Sequence, residues 1–216
     1  MRINLKLNSR HLVLTLTLAA APAFAAPIAV TNFSFENLPV GGLPAPCGAG
    51  CSYSAAAIPG WSNGAGGQFQ PGPTPNSYFN SLSDGPTSAY SPGGTISQVV
   101  GQTVQLGAVY TFLVDIGYRL DQGFAGTADL LINGNTYAAI GVVPVQGTFG
   151  TFTATYTGLL ADVGQSITLE LQSSGGQGNF DNVRLDGAAA APEPASFLLI
   201  GTALLALDKI RRRRRS

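Results

Sequence analysis

Apolar and polar residues alternate with a period of two through most of the middle of the chain. Tyr110, Phe112, Val114, Ile116 and Tyr118 fall on one side of an extended segment, with Thr111, Asp115 and Arg119 on the other. Phe152, Ala154 and Tyr156 alternate with Thr151, Thr153, Thr155 and Thr157, and Ile167, Leu169 and Leu171 oppose Thr168 and Glu170. The pattern predicts strands over 28–37, 66–70, 95–100, 110–120, 127–133, 136–140, 148–157, 166–172 and 180–185. Asn133-Gly134 is a hairpin signal between two of them. Gly and Pro punctuate the body at the roughly 8–12-residue spacing of short strands, and no amphipathic helical window stands out. The expected body is therefore all-β, an antiparallel β-sandwich or jelly roll. Residues 38–94, rich in Gly, Pro, Ser and Asn, read as long loops draped over one end.

The two ends break the period. Arg2, Lys6 and Arg10 precede the apolar stretch Leu12 to Ala21, and Ala23-Phe24-Ala25 supplies a small-x-small cleavage pattern. This predicts a secretory signal helix over 1–25. At the other end Pro192-Glu193-Pro194 leads into thirteen uncharged residues from Ala195 to Leu207. Asp208, Lys209, Ile210 and five arginines, Arg211 to Arg215, follow. Thirteen helical residues reach only about 20 Å across a hydrocarbon core of about 30 Å. The basic stems extend that reach by snorkelling, and the arginine block stays cytoplasmic. The arrangement resembles the PEP-CTERM sorting tail of exported Gram-negative proteins. The resemblance implies a short transmembrane segment at 195–210, transient residence in the inner membrane and removal by an exosortase-type membrane protease. It also implies release to the cell surface or the extracellular matrix. An ordinary C-terminal anchor with a basic stop is the alternative.

Setting those ends aside changes the charge. Residues 26–191 hold two cations, Arg119 and Arg184, against nine acids, a net charge of −7. A surface of that sign repels nucleic acid backbones, so nucleic-acid binding is excluded. His11 and all lysines lie in the end segments. A body with neither residue type cannot run a Ser-His-Asp or Cys-His site, a Schiff base or a histidine-ligated zinc site. A carboxylate pair remains chemically open, but no spacing singles one out, and the body reads as non-enzymatic. Cys47 and Cys51 enclose three residues and read as a local disulfide in an exported chain.

Further landmarks follow in order: Asn32-Phe33-Ser34-Phe35-Glu36, Gly60-Trp61, Ile96-Ser97-Gln98, Tyr110-Thr111-Phe112 and Phe180-Asp181-Asn182-Val183. Their order resembles the galactose-binding-domain-like jelly roll, the scaffold of several carbohydrate-binding modules. The resemblance implies one domain over 26–187, a linker at 188–191 and the sorting tail at 192–216. It further implies a structural calcium ion where the first and last strands meet, with Glu36 and Asp181 as its side-chain ligands. Strand parity with Val183 and Leu185 aims Asp181 at the core, where a carboxylate needs a partner; capping of a turn by Asp181, with Glu36 exposed, is the alternative. Trp61 is either a sugar-stacking platform or a plug at one end of the sandwich. Tyr53, Tyr78 and Tyr90 are further stacking candidates. Arg119 and Asp121 suit sugar hydroxyls or form a plain surface pair. The expected function is exported, non-catalytic binding of carbohydrate such as an exopolysaccharide. A structural or adhesive matrix protein that contacts other proteins is the alternative.

Overall fold

The structure, a computed structural model, describes residues 25–189. Its strands begin with β1 (Ala25–Ile28), β2 (Ala45–Gly48), β3 (Cys51–Ser54), β4 (Ser62–Asn63) and β5 (Gly67–Gln70). They continue with β6 (Ser88–Ser91), β7 (Gly94–Thr103), β8 (Val109–Gly117) and β9 (Gly126–Ile132). The last are β10 (Asn135–Ala138), β11 (Phe149–Thr157), β12 (Ser166–Ser173) and β13 (Gly178–Ala188). The larger sheet runs β11-β8-β13-β6-β5-β3-β2, with β1 also paired to β13, and the smaller runs β10-β9-β12-β7-β4. All pairings are antiparallel. The all-β sandwich expected from the alternation is the fold. The signal helix (1–25, save its last residue) and the apolar helix and segment (195–210) lie outside the described residues. Among the described residues no helix is long and apolar enough to cross a membrane.

The alternating strands supply the two inner faces. Tyr110, Phe112, Val114 and Ile116 of β8 meet Ile167, Leu169 and Leu171 of β12 in one apolar cluster with Leu130 and Ile132 of β9. Each such side chain contributes about 1.5–3 kcal/mol on burial. Asn133 (φ 50°) and Gly134 (φ 76°) close the β9–β10 hairpin with the two positive φ values that its tight turn requires.

Two expectations are corrected. The strand predicted over 28–37 stops at Ile28, and turns follow, with Asn32 (φ 51°) and Phe35 (φ 58°) in the left-handed region. Residues 38–94 are not loops at one end: besides the expected strand near 66–70 they hold β2, β3, β4 and β6. Those strands are two to four residues long, too short for alternation to accumulate, and β2 carries Pro46 and Gly48.

Within that region, the segment between β5 and β6 folds over the outer face of the larger sheet. Phe79, Phe69, Cys51 and Tyr90 are buried there in a second, smaller apolar cluster, joined by Phe149 and Tyr78. Gly117 permits this close packing, since a Cβ there would stand 2.8 Å from the Phe149 ring and 3.0 Å from that of Phe79.

Candidate functional site: an aromatic cleft on the outer face of the larger sheet

Register decides which side chains share this face. Ala89 of β6 pairs with Phe180 of β13 and belongs to the core, so Ser88 and Tyr90 point outward. Phe69 of β5 pairs with Ser88, and Tyr53 of β3 pairs with Phe69, so these rings face outward as well. Tyr53, Phe69, Tyr78, Tyr90, Arg119 and Gln177, with Cys47 at one side, line a cleft of about 310 Å³. Tyr53 meets Tyr90 edge-on at 6.1 Å, and Phe69 meets Tyr78 edge-on at 5.3 Å. The Arg119 guanidinium lies over the Tyr78 ring at 4.4 Å and the Phe69 ring at 5.5 Å. Asp121 holds it there by accepting Nε–H at 2.8 Å and Nη2–H at 2.6 Å. That pairing holds the Asp121 carboxyl below its ordinary range, with the Arg119 hydrogen bond as the main cause. Burial, then the neighbouring Tyr53, pushes the Tyr90 hydroxyl up. Gln177 is positioned by Gln122, whose Nε2–H donates to the Gln177 carbonyl at 2.6 Å.

Beside the cleft, the covering segment is strapped down by carboxylates. Asp181 is 1% exposed; its Oδ2 accepts Asp84 N–H at 2.9 Å and its Oδ1 accepts Asn182 N–H at 2.8 Å. Glu36, at the surface, accepts Thr87 N–H at 2.8 Å. Asp115 accepts Ser83 Oγ–H, Thr151 Oγ1–H at 2.6 Å and Asn182 Nδ2–H at 2.9 Å. Burial pushes the Asp181 carboxyl up to about 8, with Asp84 and Glu36 adding to the rise against the two peptide N–H donors. Burial also raises Glu36.

A family model described as HpiC1-like, HpiC1 cyclase, matches residues 26–186. The chain belongs to the HpiC1-like family. A second model, the PEP-CTERM protein-sorting motif, matches residues 190–215 and marks the HpiC1-like body as exported and sorted toward the cell surface. No curated protein matches the chain. Among solved structures, the HpiC1-like chain is similar to the enzymatically active domain of bacteriophage CBA120 tailspike protein 4 (TM-score 0.42, 12% identity, 73% of this chain and 21% of that one). It is similar to the CBM22-1–GH10 modules of Clostridium thermocellum xylanase 10B (TM-score 0.43, 15% identity, 62% and 27%). It is also similar to the CBM22-1 xylan-binding domain of Paenibacillus barcinonensis Xyn10C (TM-score 0.42, 15% identity, 80% and 100%). The chain spans only 21% and 27% of the first two. At these scores none of the three bears on what the HpiC1-like body binds.

Of the residues expected at a site, the structure brings Tyr90 and Arg119 into the cleft and places Asp121 behind Arg119. Tyr53 and Tyr78 line it too. Trp61 is elsewhere, which corrects its expected stacking role: it is 6% exposed, packs on Phe35 at 5.3 Å and donates Nε1–H to the Thr31 carbonyl at 2.9 Å. Phe69 went unnoticed because alternation cannot say which face of a short strand is inward. Asp181 and Glu36 do lie near one another, but Asp181 does not point into the core. It pairs with Asp115 across β8, while Phe180 pairs with Ile116, so it stands on the outer face beneath the covering segment. A bulge between Asp181 and Arg184 resets the parity. Among the described residues no three His, Cys, Asp or Glu side chains converge in a metal-ligating group. Cys47 and Cys51 are joined in a disulfide. Pro192, Glu193 and Pro194 lie outside the described residues.

Proposed function

We propose that this protein is a non-catalytic carbohydrate-binding module, exported behind a cleaved signal peptide in a Gram-negative bacterium and released at the surface or into the matrix by an exosortase. The aromatic cleft carries the reading. Aromatic faces and edges pack against the C–H surfaces of a pyranose, while the free N–H groups of Arg119 and the Gln177 amide suit hydroxyls. Its lining holds no carboxylate, imidazole or amine. Arg119 stays charged, and burial raises the Tyr90 hydroxyl further from the range of a base at neutral pH. The test is a glycan array probed with the full chain and with Tyr53→Ala, the most exposed ring of the lining. Selective binding lost in the variant supports the reading, and silence from folded protein ends it.

A structural calcium ion beside the cleft is part of the proposal. Asp181 is buried, and among the described residues its carboxylate has no ion-pair partner. Calcium takes six to eight oxygens, so Asp181 and Glu36 would supply two acidic groups, with peptide carbonyls and water as the remainder. Thermal stability measured with calcium and with chelator tests it, and an equal response in Asp181→Asn removes it.

Two observations favour other readings. The word cyclase in the family description favours catalysis in the same cleft, which predicts turnover rather than saturable sugar binding. Ile140, Val142, Val143 and Val145, 50–87% exposed, favour a matrix protein that adheres to other proteins.

A further inference from the structure

A second cavity, of about 240 Å³, adjoins the cleft and shares two of its lining residues, Cys47 and Tyr78. The shared wall is fixed from both sides. Tyr78 donates its hydroxyl hydrogen to the Cys47 carbonyl at 2.7 Å, and Cys47 is tied to Cys51 by the disulfide. The disulfide hairpin in turn sits against the proline-rich stretch that follows β5. A Cβ on Gly72 would stand 2.8 Å from the Gly50 carbonyl oxygen, and one on Gly50 3.3 Å from Pro73 Cδ, so glycines at both points permit the contact. The far side is lined by Ala49, Pro71, Pro73, Pro75 and Ser77 and carries no charged residue.

Each cavity is at or below the low end of the roughly 300–1,000 Å³ that encloses a whole small ligand. Side by side across one rigid wall, they suit a ligand made of repeating units. Charge narrows its class. Arg119 is the one cation of the cleft and is already held by Asp121, while the body carries −7. An anionic chain would meet repulsion without a free counter-charge.

Resting on the carbohydrate reading, we propose that the two cavities are adjoining subsites of one groove that takes at least two linked units of a neutral polysaccharide, with the disulfide hairpin and Tyr78 forming the saddle between them. Titration calorimetry of the full chain with glucose oligomers of one to six units, α-1,4- and β-1,4-linked, tests this, with an oligogalacturonate ladder as the anionic arm. Affinity in at least one neutral ladder should rise on the order of tenfold from one unit to three, about what one added stacking contact supplies, and then level off. Ser77→Trp, which fills the second cavity, should flatten that ladder, and so should reduction of the disulfide. Unchanged circular dichroism and melting temperature would show that the variant is folded. A flat neutral ladder in the unmodified protein overturns the two-subsite groove and leaves the carbohydrate reading standing. So does a Ser77→Trp ladder as steep as the original. Preference for oligogalacturonate overturns the neutral class. No binding in any ladder overturns the two-subsite groove, and the carbohydrate reading falls with it only if the glycan array is silent as well.

Discussion

Asp181 stands directly across from Asp115 on neighbouring strands of the larger sheet, on the face away from the core. Like carboxylates opposite one another are unfavourable in a sheet. Here each is given donors from the covering segment: Asp84 N–H for Asp181 and the Ser83 hydroxyl for Asp115. The two acids therefore act as anchor points for the segment that shapes the cleft. Asn182, between them and the bulge, adopts φ 48° and donates to both, through its N–H to Asp181 and its amide to Asp115.

This arrangement sets a pH dependence. The Asp181 carboxyl, held near 8 in the folded state and near 4 when unfolded, binds a proton on folding across that interval. Its contribution is fully present below about pH 4 and is lost as pH rises toward 8. In chelator, the melting temperature should fall by roughly 5 °C or more between pH 5 and pH 8, and Asp181→Asn should flatten the curve. A melting temperature that rises over that range would contradict it.

Tyr53 tests the cleft with little risk to the fold, since its side chain is 37% exposed. Tyr53→Ala should weaken binding of an array-identified glycan by about tenfold, the equivalent of about 1.4 kcal/mol, as measured by calorimetry. The melting temperature should stay close to that of the parent protein.

Arg119 is more demanding. Arg119→Lys keeps the charge but loses the planar stack over Tyr78 and the two-point pair with Asp121. Glycan affinity should drop several-fold although net charge is unchanged, and equal affinity would show that only the charge matters.

Replacing Trp61 should separate stability from binding. Trp61→Ala removes a buried ring from the main core and should cost about 3–5 kcal/mol in denaturant unfolding. The protein that remains folded should bind glycan as before, because Trp61 does not reach the cleft.

The disulfide encloses a very short loop. Its removal in a Cys47→Ser, Cys51→Ser double variant should cost about 2 kcal/mol by loop entropy, or roughly 4–8 °C in melting temperature. A loss confined to the melting temperature, with ligand affinity intact, would place the hairpin outside the binding surface.

How much of this could be read from the sequence depends on local contrast. β8, β11 and β12 were legible because eight or nine residues alternate cleanly between one wet and one apolar face. β2, β3, β4 and β6 were not, because each holds four residues or fewer, too short a run for alternation to show; of the short strands only β5 was expected. Tyr90, in a loop-rich stretch, and Arg119, near the end of an alternating strand, both carry polar tips and both line the cleft. Trp61 had the same surroundings in sequence as Tyr90, and only packing against Phe35 shows it to be inside. Asp181 illustrates the limit of parity: one bulge reverses it, and the only local hint was an asparagine, a residue that tolerates positive φ.

The scarcity of cations in the body has a consequence for its survival outside the cell. A trypsin-like protease has two bonds to try between residues 26 and 191. One follows Arg119, whose side chain is 10% exposed and clamped between ring faces and a carboxylate. The other follows Arg184, inside a strand paired on both sides. An exported protein of this design resists trypsin-like cleavage for as long as it stays folded.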